Sequence, residues 1–249
     1  MARIRVEAAQ GQMAAVLSDV PAFPGERFVL GFPEAIGDAA RAVWYGDIKP
    51  QWRQTDDGAW ESTGEMPGEL RYRLLITPYE DHVDAVTTLT NCSDRVWRQG
   101  MAFNCFNCGS SVLRDNECLR HWVRVKGEFR RLVELPRVFS ERPTVQLYNV
   151  EGAPPGAEIP FVANFKATPA DVIAEGWMAI VAPDGRRMAA TVSKPALFLF
   201  QNMEYSCIHS APSFGTLRPG QTAKALTRLY FVRSSLRAWY ERMKGEMDI

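Results

Sequence analysis

The sequence predicts an all-β protein, a large antiparallel β-sandwich that ends in one amphipathic α-helix. From about residue 51 onward, short segments alternate apolar and polar residues, which is the period of a half-buried strand. Turn-forming residues separate these segments at intervals of roughly 8–12 residues, as they do in sandwiches. Aromatic residues are abundant, with 7 Trp, 7 Tyr and 13 Phe, and such residues are enriched in strands.

The 249 residues predict one domain over residues 1–249, because sandwiches of this length often form a single domain. Residues 1–50 are expected to be an irregular N-terminal part. Within it, Arg3–Val6 and Phe28–Phe32 are strand candidates. Residues 34–45 carry apolar side chains at helical spacing, which indicates helical character.

Three tight hairpins are predicted at glycine-containing turns, at Asp56–Gly58, Lys126–Gly127 and Pro183–Gly185. The strand candidates that flank these turns or alternate elsewhere are 52–55, 59–62, 69–76, 82–91, a partner from about 96–97, 122–125, 128–133, 144–148, 177–182, 186–192, 195–200 and 222–232.

The end of the chain changes to helical spacing. Residues 234–247 are predicted to form an α-helix that Ser234 or Ser235 caps. Its apolar side would pack on the sandwich and consists of Leu236, Trp239, Tyr240, Met243 and Met247.

Composition argues against several classes of partner. Lys and Arg together number 29, and Asp and Glu also number 29, so neither nucleic acid nor an anionic membrane is an expected partner. The N-terminus has no apolar run of signal-peptide length, and no stretch approaches the roughly 18 apolar residues of a membrane span. A cytoplasmic location with mostly reduced cysteines is therefore expected. The sequence leaves the oligomeric state open.

One cluster of soft ligands predicts a cofactor. Cys105 and Cys108 are followed by Cys118 and His121, so two pairs with two-residue spacing supply a Cys3His set that suits a structural zinc ion. The alternative is four unrelated residues, since free cysteine is commonly buried as a small apolar side chain. Another arrangement brings three histidines to one metal ion: His82, His121 and His209. No phosphate-binding or dinucleotide motif is present.

The stretch from Asn202 to Gly220 is the candidate catalytic segment. It is predicted to be a loop between the strands 195–200 and 222–232, and it places His209 near Glu204, Tyr205 and Cys207. A neutral histidine accepts a proton at ordinary pH, and Glu204 or Tyr205 would orient it or act as its partner. Cys207 would be a nucleophile if His209 lowered its pKa. The alternative is a structural histidine bonded to backbone.

Two motifs carry a resemblance to a known group of proteins. Thr87–Asp94 and Tyr205–Thr222 resemble the galactose-mutarotase-like β-supersandwich proteins, which include aldose epimerases and the sandwich domains of several polysaccharide lyases and glycoside hydrolases. The resemblance implies a sugar bound on a concave sheet, with a His acid and a Glu base on separate strands. It carries over to His209 alone, since no position here matches the epimerase glutamate.

The sequence therefore predicts a carbohydrate-active protein, of epimerase or lyase type, acting on a sugar or sugar acid. His209 would exchange the proton. Arg120 or Arg130 would hold a substrate carboxylate, and Trp97 or Trp122 would supply a stacking platform for a small sugar or an oligosaccharide. The alternatives are a non-catalytic carbohydrate-binding module and a structural protein with a zinc clip.

Overall fold

The computed structural model describes residues 3–38, 40–44, 46–138, 144–155, 169 and 171–247. In these residues the strands are β1 (Arg5–Ala8), β2 (Ala14–Ser18), β3 (Phe28–Gly37), β4 (Ala42–Trp44), β5 (Gln51–Gln54), β6 (Trp60–Met66), β7 (Leu70–Pro78), β8 (His82–Asn91), β9 (Trp97–Asn107), β10 (His121–Val125), β11 (Glu128–Arg131), β12 (Val145–Val150), β13 (Ile173–Ala174), β14 (Trp177–Val181), β15 (Arg187–Lys194), β16 (Ala196–Asn202), β17 (Cys207–Leu217) and β18 (Thr222–Arg233). A 3₁₀ turn spans Leu132–Glu134, and the helix α1 spans Leu236–Met247.

The strands form two layers that a single short strand joins. The first sheet has the order β1-β2-β3-β9-β17-β16-β12, with β4 also paired to β3. The second has the order β5-β6-β7-β8-β18-β15-β14-β10-β11. Strand β13 connects them, because it pairs in parallel with β12 and antiparallel with β10. The other pairings are antiparallel, so the predicted fold class is confirmed.

The main core lies between the two sheets. Phe28 of β3 and Phe106 of β9 meet Phe231 of β18, with ring centroids 5.0 Å and 5.5 Å from that of Phe231. All three rings are almost fully buried. Because strand side chains alternate between faces, the neighbouring positions of β9 and β18 point away from this core. The outer faces of the two sheets differ, because helix α1 covers that of the second sheet and a cleft lies on that of the first.

A chain of buried hydroxyl and amide groups crosses the same core. Asn104 Nδ2 donates to Thr227 Oγ1 at 3.0 Å, and the Thr227 and Ser193 hydroxyls lie 2.7 Å apart. The Ser193 hydroxyl also donates to the Ser210 carbonyl at 2.6 Å. Asn104 and Ser210 belong to the first sheet, whereas Ser193 and Thr227 belong to the second. These bonds therefore fix how the two sheets face each other.

Helix α1 covers the outer face of the second sheet, so the predicted C-terminal helix is confirmed. Ser235 caps it, since its Oγ accepts the Ala238 N–H at 3.2 Å. Trp239 packs edge-on against Trp177 and Tyr230, at centroid distances of 5.1 Å and 5.7 Å. A fully buried indole of this size accounts for much of the docking energy of the helix.

The N-terminal region is more regular than the sequence predicted. Residues 5–44 contain four strands, and the helical character expected for 34–45 is wrong: β3 runs through Gly37, and β4 returns directly. A Cβ atom on Gly37 would overlap the carbonyl oxygen of Arg41, so glycine permits this tight return. Pairing of β3 with the distant strand β9 then overrides the local helical spacing.

The predicted hairpins are confirmed. Gly58, Gly127 and Gly185 have φ values of 84°, 80° and 67°, a region that other residues adopt at a cost. Within the described part of the chain, the one α-helix is too short and too polar to cross a lipid bilayer.

Candidate functional site

The candidate site lies on the outer face of the first sheet. Phe103 of β9 and Phe200 of β16 point to this face and form an apolar cluster separate from the main core. Their rings meet edge-on with centroids 5.0 Å apart. This cluster is the floor of a cleft of about 250 Å³. The cleft is lined by Glu34, Trp44, Phe103, Cys105, Asn107, Phe200, Asn202, Tyr205, Cys207 and His209.

Two exposed aromatic side chains belong to this lining. Trp44 of β4 is 36% exposed, and Tyr205 in the turn between β16 and β17 is 51% exposed. A second, mainly apolar cleft of about 480 Å³ adjoins the first, because the two share Glu34, Cys105 and Asn107. The combined surface offers flat apolar rings next to polar groups, which is a common composition for ligand sites.

His209 lies at the centre of this surface and is rigidly held. It sits within β17, opposite Phe200 of β16, so the loop predicted here is wrong at this position. Its Nδ1–H donates to the Phe200 carbonyl at 3.1 Å, which must be an N–H donation because a carbonyl only accepts. The ring stacks on Phe103 at a centroid distance of 4.4 Å and an interplanar angle of 12°. The Nε2 atom is thereby left to face the cleft lining.

Glu34 of β3 is the residue that the sequence did not identify. Its carboxylate oxygen Oε2 lies 3.8 Å from Nε2 of His209, and its side chain is 31% exposed. The only signal in the sequence is a carboxylate inside an otherwise apolar strand, Phe28–Gly37. The pairing of β3 with β9 and of β9 with β17 brings Glu34 and His209 together.

Two thiols complete the polar part of the site. Cys105 of β9 is half-buried, and a hydrogen bond with Cys207, followed by burial, raises its pKa well above the usual range. The group is therefore a protonated thiol in this environment. The ligand atoms of Glu34, Cys105 and His209 all lie within 4.8 Å of one another. Among the described residues, this is the group of His, Cys, Asp and Glu side chains that could share one ion.

The structure does not bring the predicted zinc ligands together. Cys105 faces the cleft, whereas Cys108 is buried in the core between the sheets, because positions three apart along a strand point to opposite faces. His121 instead donates from Nδ1 to Asp115 Oδ2 at 2.8 Å. Burial lowers the pKa of His121. Cys118 is buried apart from Cys105, and the three histidines do not converge either, as far as the described residues show.

The two residues expected to assist His209 have different positions. Tyr205 lines the cleft. Glu204 lies in the same turn but outside the lining, and its Oε1 accepts the Thr144 hydroxyl at 2.9 Å. The role predicted for Tyr205 remains compatible with the geometry, whereas the carboxylate beside His209 is that of Glu34.

The predicted substrate-binding residues lie elsewhere. Trp97 is fully buried, with its indole N–H donating to Ser93 Oγ at 3.1 Å. Arg120 donates to the Val181 carbonyl at 2.7 Å. Arg130 pairs with Val123, and Trp122 with Arg131, across the β10–β11 hairpin of the second sheet. None of the four is part of the cleft lining described above.

The arrangement supplies an acid and a base side by side. One oxygen atom can lie about 2.8 Å from each of two groups that are 3.8 Å apart. A substrate hydroxyl could therefore donate to the Glu34 carboxylate, and Nε2 would donate to a neighbouring oxygen when His209 carries a proton on both ring nitrogens. Stacking on Phe103 and the bond to Phe200 hold the imidazole ready for this exchange.

Comparison with solved structures agrees with the resemblance predicted from the sequence. A galactose mutarotase-like protein from Lactobacillus casei ATCC 334 matches 93% of this chain and 98% of its own, with 11% identity and a TM-score of 0.47. An alpha-mannosidase from Enterococcus faecalis V583 matches 98% of this chain with 7% identity and a TM-score of 0.58. An alpha-N-acetylgalactosaminidase from Bifidobacterium bifidum, solved with GalNAc, matches 99% with 9% identity and a TM-score of 0.55.

This chain spans only 30% of the mannosidase and 39% of the acetylgalactosaminidase. No protein-family model and no curated protein matches the sequence. At these identities the comparisons show a shared fold. The fold is one that this chain shares with part of the mannosidase and part of the acetylgalactosaminidase.

Proposed function

We propose that the cleft binds an aldose and that Glu34 and His209 exchange protons at its anomeric centre, as in an epimerase. The observation that carries the proposal is the 3.8 Å separation of Oε2 and Nε2 inside a cleft lined by aromatic rings. The resemblance to aldose epimerases implied a His acid and a Glu base on separate strands. Glu34 on β3 and His209 on β17 fit that description.

The proton transfers balance in both directions. The Glu34 carboxylate takes the proton of the anomeric hydroxyl, and His209, protonated on both ring nitrogens in this step, gives its Nε2 proton to the ring oxygen. The bond between the anomeric carbon and the ring oxygen breaks, and a carbonyl forms. After rotation, the ring closes on the other face of the carbonyl. The same two protons then return to their original groups.

Aromatic side chains would supply the binding surface. Trp44 is the exposed indole in the lining and therefore takes the platform role that Trp97 and Trp122 were expected to have. Apolar faces of sugar rings stack on such side chains. Asn107 and Asn202 add hydrogen-bond donors and acceptors for hydroxyls.

The geometry favours epimerisation over a lyase reaction on a sugar acid. A lyase-type substrate needs a cation for its carboxylate, and arginine is the residue best suited to that task. Among the described lining residues of the first cleft there is no arginine or lysine, and Lys49 is the one basic residue in the lining of the adjoining cleft. A neutral aldose is the substrate class that fits these groups.

The test is the rate at which α- and β-anomers interchange, measured by NMR exchange spectroscopy on a panel of aldoses. H209N and E34Q should each lower the catalysed rate about 10²–10⁴-fold, because each removes one partner in proton transfer. Asparagine keeps an N–H that can donate to the Phe200 carbonyl. H82N is the matched control, since His82 lies on the second sheet beside Asp81.

Full activity of both variants would refute the proposal. Equal sugar binding by the wild type and both variants, with no anomer exchange by any of them, would instead support the non-catalytic binding module.

A further inference from the structure

Glu34, Cys105 and His209 also have the chemistry of a metal site. They offer a carboxylate oxygen, a sulfur and an imidazole nitrogen, which are the ligand types that zinc takes in proteins. Their ligand atoms lie within 4.8 Å of one another. Two ligands of a tetrahedral zinc ion, at about 2.0–2.3 Å from it, are about 3.3–3.6 Å apart. The 3.8 Å between Glu34 and His209 is close to that spacing.

The surrounding contacts orient the histidine for metal binding. Histidines that bind metals usually donate the other ring N–H to a carboxylate or a backbone carbonyl. The Nδ1–H of His209 donates to the Phe200 carbonyl at 3.1 Å, so the neutral form of the ring has its free electron pair on Nε2, toward Glu34. This orientation follows from β-sheet pairing, because Phe200 and His209 are directly opposite each other.

The three ligand side chains differ in how far each can move to reach an ion. Cys105 and His209 lie on the paired strands β9 and β17 and are fixed by the sheet. Glu34 is partly exposed, so its carboxylate can move a few tenths of an ångström toward an ion. Cys207 adds a second thiol beside Cys105 through their hydrogen bond.

We propose that Glu34, Cys105 and His209 bind one Zn²⁺ ion, with the fourth coordination position open to the cleft. Binding replaces the proton of the Cys105 thiol, which is released to solvent. This inference builds on the proposed function in one respect: an ion on Glu34 and His209 removes the acid and the base, so zinc would inhibit anomer exchange.

The test uses Co²⁺ as a spectroscopic substitute, added to metal-free protein without any sugar. Wild-type protein should bind one Co²⁺ per chain and show a thiolate-to-cobalt charge-transfer band in the near ultraviolet. C105S should lose that band. C92S is the matched control and should keep it, because Cys92 is an exposed thiol outside the cleft lining.

Zinc affinity is then measured by competition with a chromophoric chelator. C105S and E34Q should each weaken Zn²⁺ binding at least about tenfold, since even partners outside the ligand set can cost that much. A wild type without a charge-transfer band, or a C105S protein with an undiminished one, would overturn the proposal. Since no sugar is present, this outcome is independent of whether the protein catalyses anomer exchange. Inhibition is tested separately, by adding Zn²⁺ to the anomer-exchange assay.

Discussion

Replacing Thr227 by Val probes the polar chain between the two sheets. The Ser210 carbonyl only accepts, so the single proton of the Ser193 hydroxyl is committed to it at 2.6 Å. The Thr227 hydroxyl must then donate to Ser193 at 2.7 Å and accept from Asn104 at 3.0 Å. Val keeps the shape of Thr but leaves the buried Asn104 N–H without that acceptor.

The expected cost of T227V is about 1–3 kcal/mol, the desolvation penalty of one unsatisfied buried donor. For a chain of this size, each kcal/mol of lost stability lowers Tm by about 2–4 °C. Urea denaturation followed by circular dichroism measures the change. The second variant is T227V/N104L, which replaces both partners of the bond by apolar groups and should recover most of the loss.

An unchanged urea midpoint in T227V would refute the assignment of Thr227 as the acceptor that satisfies the buried Asn104 N–H. A double variant whose loss equals the sum of the two single losses would also refute it, because directly bonded residues must couple in a mutant cycle.

Three further predictions concern the rest of the molecule. W239A should destabilise the protein by about 3–5 kcal/mol in urea denaturation, because it removes a fully buried indole from beneath the helix. Burial alone would raise the pKa of Asp81, but the hydrogen bonds and charges of Arg242 and His82 together outweigh it and keep that pKa below its ordinary value. The stability from this pair is present above a pH of about 4 and is lost as pH falls through the folded pKa, so R242Q should flatten the acid-induced fall in the urea midpoint. A thiol reagent should modify one cysteine rapidly in native protein, and C92S should abolish that fast phase, since Cys92 is the exposed thiol.

The features that could be predicted from the sequence are those that depend on residues close together in the chain. The turns at Gly58, Gly127 and Gly185 require positive φ. Short polar segments that contain glycine predict such turns. The C-terminal helix shows a clear period and a serine cap. The sequence alone therefore predicts which side of the helix is apolar.

The features that could not be predicted depend on distant pairing. β17 contains a proline and a glycine and resembles a loop, yet β16 and β9 hydrogen-bond to it on either side. Cys105 and Cys108 have the spacing of two zinc ligands, but their side chains point to opposite faces of the sheet. Glu34 meets His209 only after β9 has paired with both β3 and β17, and nothing near Glu34 in the sequence indicates that contact.

His209 lies in a strand that pairs with a neighbour on each side, and this position determines how the site loses its structure on heating. Loops open by local fluctuations, whereas interior strands exchange their amide hydrogens only when a large cooperative unit opens. The backbone N–H of His209 should therefore belong to the slowly exchanging part of the protein. The imidazole would keep its orientation until the first sheet itself comes apart, and the temperature at which the site fails would coincide with the temperature of unfolding.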